Sequence, residues 1–296
     1  MSKPFDVEIN NSIAHIRFNR PEKRNSMNED FWNLFPKEVE ELDSSGEIRA
    51  LVVSSTGPHF SSGIDLNMFK DDVVENQSEN ELGRSRGYFL QQLHYLQNAA
   101  TCLETARFPV IAAVQGGCIG GGIDLITAAD IRLCTKDAFF LIEEINVGLA
   151  ADIGTIQSLP KIIPAGIARE WTMMGEKVSA DRAKEVGLVS SLHENHEEML
   201  ESAFKIAERL ASKTPLAMWV TKEVLNYSRD HSVKEGLENV ALWNAATLHK
   251  EDVMNTMMAK MQKKDPEYRN PFARCAFHSH LPLTLFSVLT TGSRLW

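Results

Sequence analysis

Asp124, Glu144 and Asp152 follow one another at separations of 20 and 8 positions. Carboxyl groups held in apolar surroundings have raised pKa values, which suits them to take up and release protons near neutral pH. The first of them ends the stretch Gln115-Gly116-Gly117-Cys118-Ile119-Gly120-Gly121-Gly122-Ile123-Asp124, half of which is glycine. An apolar run, Pro109 to Val114, precedes that stretch, and Ile123 to Ala129 reads as a helix. Strand, glycine loop and helix N-terminus in succession present free backbone N–H groups to negative charge. The chemistry that combines these parts is proton transfer beside a held oxyanion. Each acid alone also has a structural reading. Asp124 in a first helical turn gains ~0.3–1 kcal/mol from the macrodipole, Glu144 ends a strand, and Asp152 can cap the next helix.

Other chemistries fail on residues. The glycines miss the first, third and sixth positions of a dinucleotide fingerprint, and Gly122-Ile123 stands where a phosphate loop needs Lys-Ser/Thr. Phe60-Ser61-Ser62-Gly63 lacks the Gly-x-Ser-x-Gly elbow of a serine nucleophile. His278-x-His280 has no third metal ligand, so no metal site is expected there. Net charge is −9 with no Lys/Arg block, which argues against nucleic acid. Cys102, Cys118, Cys134 and Cys275 form no CxxC pair and fit reduced thiols. No run approaches the ~18 apolar residues of a membrane span.

The elements that must position the acids alternate strand and helix through the first two thirds of the chain. Phe5 to Ile9 and Ile13 to Phe18 read as a hairpin turning at Asn10-Asn11. Ser26 to Glu29 reads as a capping box before a helix that carries Pro36. Ala50–Ser55, Ile131–Cys134, Ala138–Ile142 and Leu188–Leu192 read as strands. Residues 70–87 read as a lid or a surface insertion. Helices are expected over 197–212, 215–229, 233–248 and 250–263. Strands with helices, then helices alone, indicate an α/β body with a helical C-terminal part.

Phe18-Asn19-Arg20-Pro21 with Arg24-Asn25-Ser26-Met27, Phe60 to Leu66, Gly116 to Asp130, and Glu144 to Leu149 together resemble the crotonase (enoyl-CoA hydratase/isomerase) family over residues 5 to 265. The resemblance implies a spiral of ββα turns as a catalytic core (1–195), a helical oligomerisation region (196–265) and a tail without assigned role (266–296). It implies an acyl-CoA substrate, no metal or redox cofactor, and a homo-oligomer, a trimer or dimer of trimers. It also implies an oxyanion hole made by the backbone N–H groups of Ile64 and Gly121, with Ser62, Asp65 and Leu66 beside the CoA. Hydratases of the family carry glutamate at the position of Asp124. The set of Asp124, Glu144 and Asp152 is similar instead to the branch that converts 3,5-dienoyl-CoA to 2,4-dienoyl-CoA in fatty-acid β-oxidation. There Asp152 takes a proton from C2 and Glu144 delivers one at C6. A hydratase, a CoA-thioester hydrolase and a non-catalytic binding member are the alternatives on the same scaffold. The resemblance implies the mitochondrial or peroxisomal matrix. Met1 to Asp6 lacks the features of a presequence, which tilts the expectation towards peroxisomes, although Ser293-Arg294-Leu295 is followed by Trp296.

Overall fold

The alternating N-terminal runs pair as an antiparallel hairpin, β1 (Phe5–Asn10) and β2 (Ile13–Phe18). The turn falls on Asn11 and Ser12, one residue later than the Asn pair suggests, and both take positive φ. The computed structural model describes residues 3–69 and 82–272. Residues 70–81 of the candidate lid, His278, His280 and Ser293-Arg294-Leu295 lie outside the described residues.

Along the chain follow α1 (Glu29–Ser45), β3 (Ala50–Ser55), α2 (Leu82–Thr105), β4 (Val110–Val114), β5 (Gly117–Ile119), α3 (Gly121–Ala128), β6 (Ile131–Thr135) and β7 (Phe139–Leu141). Then come α4 (Thr155–Ile162), α5 (Ala165–Met174), β8 (Val178–Ser179), α6 (Ala180–Glu185) and β9 (Ser191–His193). Four helices close the described chain: α7 (His196–Ala211), α8 (Pro215–Asp230), α9 (Val233–Thr247) and α10 (Lys250–Gln262).

The main sheet has the order β1-β2-β3-β4-β6-β9 and is parallel from β2 onwards. Its central strands are buried on both faces, which explains why β4 and the first four residues of β3 read as apolar runs. Ala50, Val52, Ile111, Ala113 and Leu133 form one face, covered by Met199, Ala203, Ala207 and Ala211 of α7. Those four residues recur every fourth position, and their alanines let the helix axis lie close to the sheet. Leu51, Val53, Ala112 and Val114 form the other face, packed with Phe31, Trp32 and Phe35 of α1, and with Ile123 and Ile126 of α3. A small second sheet, β5-β7-β8, forms beside it. This α/β architecture with a helical C-terminal region is the fold class expected from the sequence.

Three local expectations are corrected. Asn28, not Ser26, caps α1: its side chain accepts from the Phe31 N–H at 3.1 Å. Ser26 is too far upstream, because Met27 is held extended against Ile64, and its hydroxyl donates to Asp65 instead. The helix after the glycine loop starts at Gly121 rather than Ile123, and the loop itself contributes strand β5. The last strand starts only at Ser191, because the N–H groups of Leu188 and Val189 are spent closing the end of α6 at the Ala183 carbonyl.

Candidate active site

Two backbone segments meet at the glycine loop. The Ser61 N–H donates to Gly117 O (3.2 Å), and the Ile119 N–H donates back to Ser61 O (3.0 Å). Met27 is paired in the same way, donating to Gly63 O (2.8 Å) and accepting from the Asp65 N–H (2.9 Å). These bonds pass over Ile64. The Gly121 N–H belongs to the first turn of α3 and has no helical carbonyl to meet. Among the described residues neither the Ile64 N–H nor the Gly121 N–H has an acceptor. Gly63 holds the two segments in contact. Its φ is +84°, and a β-carbon there would lie 3.0 Å from Ile119 O and 3.5 Å from Gly121 N. Two free N–H groups on adjoining rigid segments are the parts of an oxyanion hole.

The three acids arrive from three elements. Asp124 lies in the first turn of α3 and is 1% exposed. Its Oδ1 accepts from both the N–H and the hydroxyl of Thr155, each at 2.7 Å. It thereby caps α4 from outside, where Gly154 has no side chain to do so. Asp124 Oδ2 is buried with no partner among the described residues. Burial raises the Asp124 pKa to about 6, and the charge of Asp152 adds to the rise against the Thr155 hydrogen bonds.

Glu144 opens a 3₁₀ turn, Glu144–Val147, directly after β7. Its Oε2 is also buried and unpartnered among the described residues. Burial raises its pKa to about 7, helped by the charges of Asp124, Asp152 and Glu143. Asp152 is half-buried, and that burial raises its pKa too. Its backbone carbonyl accepts from the Gln97 side chain of α2 at 2.8 Å. Asp124 and Glu144 thus both sense the Asp152 charge, and the structure brings the three sequence-picked acids into one electrostatic cluster.

The remaining sequence candidates divide. Leu66 is 70% exposed and free for a ligand. Ser62 is half-buried, and its hydroxyl faces the Lys23 carbonyl. Asp65 is a buried structural hub: Arg20 and Ser26 donate to its Oδ2, both at 3.2 Å, and Asn67 donates to its Oδ1. Its hydrogen bonds to Asn67, Arg20 and Ser26 outweigh burial and hold its pKa below the usual carboxylate value. Ser61, the other serine of the nucleophile motif, donates to Asn25 O (2.8 Å) and accepts from the Gly63 N–H, so its hydroxyl shapes the turn.

Sequence reasoning did not single out Thr155, Gln97 or Gly120. Gly120 takes φ 50°, ψ −119°, and a β-carbon there would stand 3.2 Å from Glu144 Oε1. The signal for Thr155 was its place directly after Gly154 at a helix start.

Residues 8–271 match the family model described as enoyl-CoA hydratase/isomerase. The chain is 43% identical over 254 residues to the mitochondrial Delta(3,5)-Delta(2,4)-dienoyl-CoA isomerase of Rattus norvegicus, covering 86% of this chain and 77% of that protein. It is 41% identical over 257 residues to the peroxisomal Delta(3,5)-Delta(2,4)-dienoyl-CoA isomerase of Arabidopsis thaliana, covering 87% and 92%. Among solved structures, a putative enoyl-CoA hydratase from Streptomyces coelicolor A3(2) matches with a TM-score of 0.81 at 28% identity, covering 90% and 94%. On sequence and fold together, the chain belongs to the enoyl-CoA hydratase/isomerase, or crotonase, family.

Proposed function

We infer that this chain is a Δ3,5-Δ2,4-dienoyl-CoA isomerase acting in fatty-acid β-oxidation. Relatives bearing that name match over most of the chain, and the observation that carries the reading here is the third acid. Asp152 shares its field with Glu144 and Asp124 beside two unbonded N–H groups. Shifting two conjugated double bonds needs a proton removed at C2 and one added at C6, and the distance between those carbons calls for two carboxyl groups.

The thioester oxygen accepts from the Ile64 and Gly121 N–H groups. The Asp152 carboxylate takes the C2 proton, and the electron pair of the broken C–H bond spreads through the diene to the thioester oxygen as a dienolate. The Glu144 carboxyl then gives its proton to C6, and the double bonds settle at positions 2 and 4. Asp152 leaves protonated and Glu144 ionised, and both exchange with solvent to reset. A pKa raised to about 7 keeps a large share of Glu144 protonated at neutral pH, as a donor must be. Losing one oxyanion donor costs ~2.7–4 kcal/mol of barrier.

The exposed Leu66 and the half-buried Ser62 border the entrance for CoA, while Asp65 serves that entrance only by bracing it. The helical region 196–265, in which α7 also covers the sheet, assembles the chain into a trimer or dimer of trimers. Support comes from large apolar side chains left exposed on α9 and α10, among them Leu237, Leu242, Met257 and Met261. Among the described residues no helix is long and apolar enough to cross a membrane. The two named relatives are mitochondrial and peroxisomal, and we place the chain in one of those matrices.

The test is incubation with a 3,5-dienoyl-CoA and, separately, a 2-enoyl-CoA. Absorbance of a conjugated 2,4-dienoyl-CoA is expected from the first. Water addition to the second without that product assigns a hydratase and overturns the reading.

A further inference from the structure

We propose that Thr155 is a positioning residue that decides which of the two buried acids, Asp124 or Glu144, carries the proton. The inference rests on the isomerase reading for its consequence in turnover, but its geometry stands alone. Thr155 spends both its donors on a single oxygen of Asp124, the N–H and the hydroxyl each at 2.7 Å. The second oxygen, Oδ2, is buried and unpartnered among the described residues, as is Oε2 of Glu144. An acceptor met by two donors is stabilised as the anion, and a neutral acid with an unpartnered buried oxygen gains nothing equivalent. The Thr155 pair therefore draws the negative charge onto Asp124. An anion there keeps its neighbour Glu144 protonated, which is the state a donor to C6 requires.

Among the other ionisable groups, acids act on both members of the pair, and more of them act on Glu144. Asp152 and Glu143 face Glu144 as acids and raise it. Asp152 also faces Asp124. Cys118, under α3, is held as the thiol by burial. The hydroxyl and N–H of Thr155 favour the charged form of Asp124, whereas the Glu144 carboxyl has only a backbone N–H, its own, to favour its anion.

Thr155→Val keeps the shape and the N–H but deletes the hydroxyl. Asp124 then holds its proton to higher pH, Glu144 loses its anionic neighbour, and the two acids exchange order. Titration of the protein with ¹³C-labelled Asp and Glu carboxyls reads this directly, with Glu144 assigned from Glu144→Gln. The Val variant should move the Asp124 midpoint up and the Glu144 midpoint down by about one pH unit. Thr155→Ser, which retains the hydroxyl, should keep both midpoints. On 3,5-dienoyl-CoA, the alkaline limb of kcat should move down with the Glu144 midpoint while KM is held.

Unmoved midpoints in the Val variant overturn the proposal, as does an equal shift in the Ser variant. If the Val variant does not fold, Thr155→Ala is titrated in its place with the same expectations. A wild-type enzyme that makes no 2,4-dienoyl product sinks the isomerase reading, and the carboxyl titration still decides the role of Thr155.

Discussion

Glu144 lies against Gly120 so closely that a β-carbon on the glycine would stand 3.2 Å from Oε1 of the carboxylate. Gly120 also takes φ 50°, ψ −119°, a conformation that residues with a β-carbon rarely adopt. Gly120→Ala thus meets two obstacles at once. The backbone strain costs ~1–3 kcal/mol of stability, and relief by moving Glu144 misplaces the carboxyl that we propose as the proton donor. Displacing a catalytic group by about 1 Å can lower turnover ~10²-fold. The expected result is a soluble variant with a lowered Tm and kcat reduced about a hundredfold. Wild-type kcat in the variant would show that Glu144 does not need this contact.

Removing the acids themselves separates the two proton steps that we propose. Glu144→Gln and Asp152→Asn preserve size and leave the fold intact, since the Asp152 contact to Gln97 uses its backbone carbonyl. Each should lower kcat on 3,5-dienoyl-CoA by roughly 10²–10⁴. Exchange of the C2 proton with deuterated solvent tells them apart: Glu144→Gln should still allow it, and Asp152→Asn should not. Full activity in both variants would place the chemistry at another site.

Two buried groups give the stability curve opposite slopes below neutral pH. Asp124 rises from 3.8 to about 6 on folding, so the folded state binds the extra proton between those values. Its share of stability is present below pH 3.8 and is lost as pH rises to 6. His15, buried between the sheet and Phe204 and hydrogen-bonded to Ser54 at 2.7 Å, falls from 6.5 to about 4, chiefly through burial. There the unfolded state binds the extra proton, so stability is full above pH 6.5 and is lost as pH falls to 4. Each effect is on the order of 3 kcal/mol at its limit. These two largely cancel across pH 4–6, and Glu144, raised from 4.5 to about 7 by burial, adds a gain on acidification in the same sense as Asp124. Denaturant unfolding should show Asp124→Asn gaining less stability than wild type on acidification over that window, and His15→Gln gaining more. Parallel curves for the three proteins would contradict both assignments.

The acids and the glycine loop were legible because their residue types are rare in combination, and the C-terminal helices because their apolar periods are long. What escaped is what tertiary contact alone decides. β5 is three residues of glycine, cysteine and isoleucine, with no β-branched run, and it exists because Ser61 and Phe139 to Leu141 flank it. Ser26 looked like a better cap than Asn28 only while the pairing of Met27 with Ile64 was unknown. Asp65 looked available for a ligand because its partners Arg20 and Ser26 lie 45 and 39 residues away. Thr155 drew no attention because its partner Asp124 lies 31 residues upstream.

Lys222 fastens the helical region to the catalytic body. Its ammonium is buried in α8 and donates to the carbonyls of Leu103 (2.8 Å) and Phe108 (3.1 Å), and it pairs with Asp130 at 2.8 Å. Asp130 Oδ2 in turn accepts from the Val110 N–H at the start of β4. Lys222→Met fills the volume but leaves two carbonyls without their donor, while Asp130, 29% exposed, keeps the Val110 N–H. Leaving buried carbonyls without their donor typically costs ~1–3 kcal/mol. Because the lost contacts join α8 to the end of α2, the segment after it and Asp130 before β6, the damage should fall on the anchoring of the helices that we assign to assembly. The expected outcome is a lower Tm together with a shift from the oligomer towards monomer in light scattering at low protein concentration. A variant that loses Tm but stays fully oligomeric would confine Lys222 to stabilising the single chain.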